Sequence, residues 1–400
     1  MTTLTTSHTT RAPRASHFGL AVLALATGGF AIGTTEFVTM GLLPQIAAGI
    51  DVSIPRAGHV ISAYAVGVVV GAPVLAYLGA RLPRRGLLIS LMAAFVIGNA
   101  LSALAGNYEL LVAARFLSGL PHGAFFGVAA LVAADLAAPD RRGRAVALTM
   151  LGLSVANVVG VPAATWLGQH AGWRSAYWLV AGLALLTVAM VRSFVPHFDA
   201  NPHATGRREL SLFGKPQVWL TLLAGAIGFG GLFAVYSYIA PTVTDVGGLS
   251  ESAVPVFLLA FGLGMVAGTW VAGELSDWSI LWSMVIGSAG LGASLLLFWV
   301  VAPAGWWALP VVFVITVIGS VFVLALQMRL MHVAGESQTL GAASNHAALN
   351  IANALGAWLG GLVIAAGHGY RSPALVGVAL SLAGTLVVLA SGLLHRKRQS

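Results

Sequence analysis

Cysteine is absent from this sequence, and charged residues occupy only 8% of its 400 positions. The lack of cysteine excludes disulfides, thiolate nucleophiles and cysteine metal sites. Soluble domains contain about 25% charged residues on average, and a chain this poor in charge cannot cover its own surface in water. Ordinary soluble enzymes, disulfide-rich secreted scaffolds and disordered proteins are therefore excluded.

Motifs that bind nucleotides are missing as well. The sequence has no GxxxxGK[ST] phosphate loop and no soluble nucleotide-binding domain. No metal-ligand cluster and no nucleophilic triad stands out, so we predict no metal, no other cofactor and no enzymatic activity. Active transport by this chain would have to use an ion or substrate gradient, such as a proton gradient.

Apolar residues are what the chain has in abundance, at 58% of the sequence with a mean hydropathy of +0.90. A membrane-spanning helix needs about 20 mostly apolar residues. Twelve such runs occur, at 18–46, 57–79, 86–105, 110–134, 144–168, 175–194, 217–243, 253–275, 281–301, 306–331, 340–366 and 372–394. The run that begins at Phe18 is longer than the core of a signal peptide, so we expect it to be kept as the first helix.

The only long polar stretch lies halfway along the chain and separates two sets of six runs. We therefore predict an all-α membrane protein of two six-helix bundles joined by a cytoplasmic linker. The predicted boundaries are an N-terminal tail at 1–17, a first bundle at 18–194, the linker at 195–216, a second bundle at 217–394 and a C-terminal tail at 395–400.

Basic residues predict the orientation in the membrane. The formal net charge is +8, but lysines and arginines sit in short clusters between the apolar runs, which is typical of cytoplasmic loops and not of a nucleic-acid interface. With the N-terminus inside, 16 of the 20 basic residues lie on the cytoplasmic side and three outside, while Arg115 lies within a helix. Both termini are therefore predicted to be cytoplasmic in a multi-pass protein of the cell membrane, with lipid as its surroundings.

An internal repeat supports the two-bundle organisation. Ser154, Asn157 and Gly160 match Asn350, Asn353 and Gly356 at an offset of 196 residues, and Gly172, Arg174 and Ser175 match Gly369, Arg371 and Ser372 at an offset of 197. The matches fall in the fifth helix of each half and in the loop after it. Halves repeated in one orientation, around an axis along the membrane normal, are known from transporters that rock around a midplane site.

Glu36 is the clearest candidate for chemistry, because it lies within the first apolar run. A charge at the bilayer centre costs at least about 2.5–3.5 kcal/mol on insertion scales. One interpretation is a carboxylate that exchanges a proton against substrate. The other is a structural carboxylate whose hydrogen bonds come from Thr34, Thr35 or a neighbouring helix. We favour the first, because such a costly residue inside a spanning helix is a functional candidate by default.

Two further ionisable residues lie in the fourth run. Arg115 cannot lose its proton, so it would pair with a carboxylate or attract an anion, or else extend toward the interface as a snorkelling side chain. His122 is seven residues on and shares a similar helix face. It is able to titrate near neutral pH, although a histidine in an apolar helix is more often a hydrogen-bonded packing residue.

Polar and aromatic side chains could line a cavity. Asn157 and Asn353 are equivalent in the repeat, and His346, Asn350 and Asn353 form one polar stripe on the eleventh helix, which we expect to face the bundle interior. For any one of these polar residues we favour packing between helices, and lining of a cavity remains open for the set. The other candidate for lining the cavity is an apolar wall of aromatic side chains, although any single one of them is more often a packing residue or an interface anchor. These residues are Tyr64, Phe125, Phe126, Tyr236, Tyr238 and Trp358.

These residues and their neighbours resemble the major facilitator superfamily, and within it the twelve-helix drug:proton antiporters. The loop with Arg81, Arg84 and Arg85 is similar to the motif GxLaDRxGRR, with Ala80 in place of its Asp and Pro83 in place of its Gly. A partial second copy keeps its Asp at Asp277. The resemblance implies the superfamily fold, with helices 1, 4, 7 and 10 around a central cavity.

Motifs within the helices extend the resemblance. Arg115 and Gly119 match the motif RxxxG, whose arginine the family links to proton coupling. Gly160 and Pro162 resemble the GP pair of the antiporter motif, and Pro162 should bend the fifth helix because proline removes a backbone hydrogen bond. The segments TEFxxxGLLP, GWR and YxYxAPxxxDVxG are those of the bacterial chloramphenicol-type and arabinose-type efflux subgroup.

Three functions are compatible with the sequence. The first is a monomeric secondary exporter of small, largely apolar drug-like compounds, driven by proton antiport, because a flexible apolar cavity suits broad specificity. The second is a sugar or metabolite exporter, which would need several polar side chains around the cavity. The third, a sensor or scaffold that transports nothing, is disfavoured because no signalling domain is visible.

Overall fold

The computed structural model describes residues 15–79, 81–138, 141–198, 214–334 and 338–396. Most of the predicted N-terminal tail, the middle of the linker, Ala80 and the last four residues lie outside these ranges. Within them every regular element is a helix. The first six spanning helices are α1 (Ala15–Gly41), α2 (His59–Gly79), α3 (Arg84–Leu104), α4 (Tyr108–Leu136), α5 (Arg142–Val155 and Val161–Ala171) and α6 (Arg174–Phe194).

The second half repeats this arrangement. Its helices are α7 (Pro216–Gly228 and Gly230–Ser237), α8 (Val254–Trp278), α9 (Ile280–Val301), α10 (Ala308–Ala334), α11 (Gln338–Val363) and α12 (Ser372–Arg396). Eleven described segments are long and apolar enough to cross a membrane, and one of them, Ile280–Val333, is 54 residues long and contains both α9 and α10. The structure is thus consistent with the twelve predicted runs.

Two predicted helices are too long at their C-terminal ends. The first run was expected to reach residue 46, but α1 ends at Gly41 and a separate short helix, Leu43–Gly49, begins with Pro44 in its first turn, where proline is tolerated. The seventh was expected to reach residue 243, but α7 ends at Ser237, because Tyr238 has a non-helical backbone with φ −116°. Apolar composition does not reveal either break.

In α5 a single π-helical turn, Ala156–Gly160, separates the two α-helical parts. The second part begins at Val161 with Pro162 in its first turn. Proline has no N–H to donate to the preceding turn, so the irregularity falls beside the residue for which the sequence predicted a bend. Single π-turns of this kind often occur at functional sites.

Helix packing follows the sequence repeat. In the first half α2 packs on α4, α3 packs on α4 and α6, and α1 packs on α5 and α6; α8, α9 and α7 make the corresponding contacts in the second half. The halves meet along two seams, one between α2 and α11 and the other between α5 and α8. The equivalent packing of the two halves is the tertiary counterpart of the repeat.

Two ends of the bundle are distinguished by their loops. The connections 50–53, 105–107, 172–173, 246–250, 302–307 and 369–371 lie at one end, here called the outer end because the distribution of basic residues predicts it to be extracellular. The opposite end carries the arginine-rich loops. Large apolar side chains, many of them leucine and tryptophan, are exposed along the helices between the ends, as a chain surrounded by lipid requires.

Candidate functional site

The Glu36 carboxylate lies in the interior of the bundle with only 7% of the residue exposed. It interacts electrostatically with Arg115 and Tyr64 of the first half and with Tyr236 of the second half. Among the described residues no hydrogen bond reaches this carboxylate, and no salt bridge of 4.0 Å or less joins it to Arg115. Glu36 is therefore a buried acid close to a cation but not paired with it.

The two threonines beside Glu36 are engaged elsewhere. The Thr34 hydroxyl donates to the carbonyl oxygen of Phe30 at 2.7 Å. The Thr35 hydroxyl donates to Asn99 Oδ1 at 2.6 Å. The structural interpretation, in which these hydroxyls satisfy the carboxylate, is not supported by this arrangement.

Arg115 is completely buried and fixed by Thr35. Its Nη1 donates to Thr35 Oγ1 at 3.0 Å and its Nη2 to the Thr35 carbonyl oxygen at 3.1 Å. The guanidinium carbon lies 4.3 Å from the ring centre of Tyr64 and 5.3 Å from that of Tyr177. The snorkelling alternative is therefore wrong, because the charge is held inside the bundle by α1, α2 and α6.

The network around Arg115 contains residues that the sequence reading missed. Asn99 on α3 accepts the Thr35 hydroxyl and donates its own Nδ2 to the Phe95 carbonyl at 2.9 Å. Tyr177 also shares a hydrogen bond of 2.9 Å with Thr39. An asparagine in an apolar run was the available signal for Asn99, while Thr35 gave none beyond its place next to Glu36.

His122 extends the cluster toward the second half. Its Nδ1 is 3.0 Å from the Tyr64 hydroxyl, and its ring lies 5.4 Å from that of Phe126. Phe126 in turn stacks on His346 of α11, with ring centres 5.8 Å apart and planes inclined by 5°. Tyr64 thus connects His122 with Arg115, and Phe126 bridges the two halves, whereas Phe125 packs at 6.0 Å on Phe126 within the first half.

An aromatic cluster lies next to Glu36, at the junction of the halves. The ring of Phe37 is 5.7 Å from Tyr236 and 6.4 Å from Phe233. Tyr236 stacks on Phe261 of α8 with ring centres 3.7 Å apart. The predicted residue Tyr236 belongs to this cluster, and the other three rings were missed because phenylalanines within apolar runs give no distinguishing signal.

Three predicted asparagines are buried with unused hydrogen-bonding atoms. Asn157 and Asn350 each donate Nδ2 to the carbonyl four residues earlier, at 3.0 Å, and the Oδ1 of each has no partner among the described residues. Asn353 is 1% exposed, and within the described part of the chain neither polar atom of its side chain has a hydrogen-bond partner. Buried polar atoms are normally paired, so these amides have unused capacity for a ligand or water.

Two predicted wall residues lie elsewhere. Trp358 is 48% exposed and lies on the lipid-facing side of α11, in line with Ile351 and Leu362 and away from the buried Asn353. It therefore does not join the aromatic cluster beside Glu36. Tyr238 is buried, but its hydroxyl donates to the Ala357 carbonyl at 2.7 Å near the outer end. The aromatic pattern alone does not distinguish a residue of a cavity wall from one that faces lipid or one that lies at a seam between the halves.

Residues of the predicted conformational motifs lie where helices meet or at the arginine-rich end. Arg84 forms a salt bridge with Asp135 of α4, and Arg85 donates to the Arg192 carbonyl. Arg81 and Asp277 are exposed. A Cβ on Gly119 would collide with the Tyr64 carbonyl, and one on Gly160 with the Thr34 hydroxyl, so both glycines permit close helix packing.

Fold and site together define a class of protein. A bundle of apolar helices, built as two repeated halves around a buried acid and cation, is the architecture of a membrane transporter. The sequence model of the Major Facilitator Superfamily matches residues 25–345. The chain belongs to this superfamily and is a multi-pass membrane transporter.

Relatives that match most of the chain include proteins named for transport, for drug resistance and for sugar efflux. The chain is 40% identical over 377 residues to the inner membrane transport protein YdhP of Escherichia coli K12, covering 92% of this chain and 95% of that protein. It is 39% identical over 262 residues to a chloramphenicol resistance protein of Streptomyces lividans, with 64% and 67% covered. A probable sugar efflux transporter of Pasteurella multocida is 27% identical, with 86% and 85% covered.

A solved structure supports the fold. The crystal structure of a D-xylose–proton symporter superposes with a TM-score of 0.73 at 16% identity, covering 92% of this chain and 97% of that chain. This similarity concerns the arrangement of helices alone.

Proposed function

We propose that this transporter exports small, largely apolar compounds in exchange for protons and that Glu36 carries the proton. The observation that carries the proposal is the unpaired Glu36 carboxylate at the junction of the halves. An ionised carboxylate without partners is costly to bury, and it is neutralised when it takes up a proton. Arg115 provides the opposing influence, because a nearby cation favours the charged form.

The surroundings of Glu36 support an apolar cargo. Phe37, Phe233, Tyr236 and Phe261 present aromatic surface next to the acid, and aromatic side chains offer large apolar contact areas. The relative named as a chloramphenicol resistance protein is consistent with a drug-like cargo.

Exchange follows when proton and substrate stabilise different states of the same site. The site contains Glu36 from α1 and Tyr236 from α7, so both halves contribute to it and one chain is sufficient. We therefore propose a monomer in the cell membrane, with both termini in the cytoplasm, that uses the proton gradient and no bound cofactor.

A second candidate is the export of a sugar or another polar metabolite. The unpaired side-chain atoms of Asn157, Asn350 and Asn353 favour it, because they offer hydrogen bonds that a purely apolar cargo leaves unused. The probable sugar efflux relative is consistent with this candidate.

Transport by purified protein in lipid vesicles tests the proposal. A panel of amphiphilic drugs and of sugars is measured with and without an imposed proton gradient. We expect proton-driven accumulation of drugs by the parent and loss of that accumulation in Glu36→Gln, which keeps the shape and removes the charge, while downhill movement persists. Accumulation of sugars but not drugs would establish the second candidate instead, and transport of neither would exclude both.

A further inference from the structure

We propose that Tyr238 and Glu251 close the outer end of the transporter, each at one seam between the halves, and that both contacts separate when the cargo leaves. This inference rests on the proposed transport function and identifies the side chains that gate it. Two independent sets of contacts support it, one at the α2–α11 seam and the other at the α5–α8 seam.

At the first seam, the Tyr238 phenol is enclosed by two glycines from opposite halves. Gly58 precedes α2 and Gly361 lies in α11. A Cβ on Gly58 would come closer than 3.0 Å to the Tyr238 hydroxyl oxygen, and one on Gly361 would lie 2.5 Å from it. The absence of these two side chains creates the space that the hydroxyl occupies.

The phenol is held in this position from its own half. It is 1% exposed, and its hydroxyl donates to the Ala357 carbonyl at 2.7 Å. One turn after Gly58, the Ser62 hydroxyl donates across the same seam to the Ala354 carbonyl at 3.2 Å. The first seam is thus closed by one inserted side chain and one hydrogen bond between the halves.

At the second seam, Glu251 accepts two hydrogen bonds from the first half. Gln45 donates Nε2 to Glu251 Oε2 at 2.8 Å, and Gln169 donates Nε2 to the Glu251 carbonyl at 2.8 Å. Glu251 opens the 3₁₀ turn Glu251–Ala253 before α8, and its side chain is exposed. These bonds therefore form and break in contact with water.

Transporters with repeated halves work by rocking one half against the other around a central site. A passage to the outer end requires both seams to part. Each contact described here is a single hydrogen bond or a local fit, and losing one such bond changes an equilibrium about two- to tenfold. The contacts are weak enough to break in every cycle and numerous enough to favour closure.

Gly58→Ala tests the fit at the first seam. Gly58 has φ −55°, which any residue adopts, so alanine adds only its methyl group. In Tyr238→Phe the colliding oxygen is gone, and the atoms that remain near this Cβ, the Pro55 carbonyl oxygen and Tyr238 Cζ, are both 3.1 Å away. Phenylalanine at position 238 should therefore rescue alanine at position 58.

The reporter is a single cysteine at position 62, introduced by Ser62→Cys into a chain that has no cysteine. Its rate of reaction with a membrane-impermeant maleimide added outside cells measures the opening of the seam. We expect Gly58→Ala to raise the rate several-fold, the added Tyr238→Phe to return it toward the parent value, and Gly182→Ala, where nothing lies within 4 Å of the new Cβ, to leave it unchanged.

Parent-like labelling of Gly58→Ala, or failure of Tyr238→Phe to suppress its effect, would overturn the proposal at this seam. Gly361→Ala replaces Gly58→Ala if the latter does not reach the membrane. For the second seam, a disulfide between cysteines at positions 45 and 251 should lower the rate of labelling at position 62. A parallel sample kept reduced should be labelled at position 62 at the higher rate. No change on oxidation would contradict the role of Glu251.

These measurements need no substrate, so they separate the gate from the proposed function. If labelling behaves as expected while no drug or sugar is transported, the gate stands and the proposed function fails. If drugs are exported but labelling is insensitive to these substitutions, the function stands and the gate lies elsewhere.

Discussion

Arg174 and Arg371 make the same contact in the two halves of the molecule. Arg174 donates Nη2 to the Ala105 carbonyl at 2.9 Å, and Arg371 donates Nε and Nη2 to the Trp299 carbonyl at 3.1 and 2.6 Å. Each guanidinium also lies over a tryptophan ring, at 4.2 Å from Trp173 and 4.5 Å from Trp299. Both acceptors lie at the C-terminal end of the third helix of their half, where helix carbonyls lack partners.

The residues before these arginines repeat as well. Gly172 and Gly369 have φ values of +82° and +74°, a conformation that favours glycine. Ser175 and Ser372 each donate a hydroxyl to the carbonyl of that glycine at 2.7 Å. The short sequence match therefore specifies one turn, used twice, that ties the last helix of each half to the third.

Replacing these arginines should destabilise the protein. Arg371→Gln loses a doubly bonded guanidinium and its stacking on Trp299, which we expect to cost about 1–3 kcal/mol. Arg174→Gln also loses stacking, on Trp173, but only one hydrogen bond, so it should cost less. Thermal unfolding of the purified variants in one detergent gives the comparison, and unfolding temperatures equal to that of the parent would show that the repeated contact is not stabilising.

Much of the fold was predictable, because lipid imposes a simple rule. Each crossing needs a long apolar run, and the predicted runs agree with the helices except for the ends of α1 and α7. Those ends depend on Pro44 and on the backbone conformation of Tyr238. Both residues lie within apolar sequence, so composition does not reveal where the helices end. Helix pairing along the two seams was not predictable from composition, since lipid-facing and helix-facing sides are both apolar.

The site was predictable where polarity is costly and unpredictable where it is not. Glu36 and Arg115 stand out because charges are rare in spanning helices. Thr35, which fixes Arg115, was predicted only as a candidate partner of Glu36, and Phe37 was part of the motif TEFxxxGLLP but was not predicted as a site residue. Trp358 was misplaced because a tryptophan serves equally at a cavity, a seam or the lipid surface.

The hydrogen bonds of Arg115 should matter beyond its charge. Arg115→Lys keeps the cation but replaces the planar guanidinium that donates to both oxygen atoms of Thr35 and stacks on Tyr64 and Tyr177. Such a substitution is not conservative at a doubly bonded, stacked site. We expect proton-driven export per molecule to fall about tenfold or more, because one to two charge-assisted hydrogen bonds are lost. Transport is normalised to the amount of protein in the vesicles.

Thr35→Val is the matched control for this prediction. It removes the Oγ1 acceptor but keeps the carbonyl that receives the second bond, so its effect should be smaller than that of Arg115→Lys. Export by Arg115→Lys at the parent rate would show that only the charge is needed.

Asn353 should affect the cargo more than the fold. Its amide has no partner among the residues that the structure describes, so Asn353→Leu removes a buried, unpaired polar group, a change that is often neutral or stabilising. We expect an unchanged or higher unfolding temperature. The KM should rise about two- to tenfold, because the cargo loses one hydrogen bond to the Asn353 amide. The increase should be larger for polar cargo than for apolar cargo, which also discriminates between the two candidate functions.

Asn99→Leu provides the contrast, because Asn99 accepts the Thr35 hydroxyl and donates to Phe95. Its loss leaves buried groups unpaired and should lower stability by about 1–3 kcal/mol. An Asn353→Leu protein that unfolds early with an unchanged KM would assign Asn353 to packing.

Proton exchange at Glu36 predicts how substrate binding depends on pH. If substrate binds the form with an ionised Glu36, binding releases a proton, and by reciprocity protons weaken binding. As pH falls through the range in which Glu36 takes up its proton, the apparent Kd should rise by up to about tenfold per pH unit, the limit for one exchanged proton. Above that range the Kd should be constant, because the carboxylate is already ionised. Calorimetric titration in two buffers of different ionisation enthalpy measures both the Kd and the protons released.

Glu36→Gln should bind substrate with no proton release and a flat pH profile, whereas Glu36→Asp should retain both effects with weaker coupling. An unchanged pH dependence in Glu36→Gln would move proton exchange to another group. His122 is then the next candidate, since it is buried, is hydrogen-bonded to Tyr64 and is connected through Phe126 to His346 of the other half. The double variant Glu36→Gln with His122→Gln would decide the matter, because loss of the remaining pH dependence only in the double variant would assign the proton to His122.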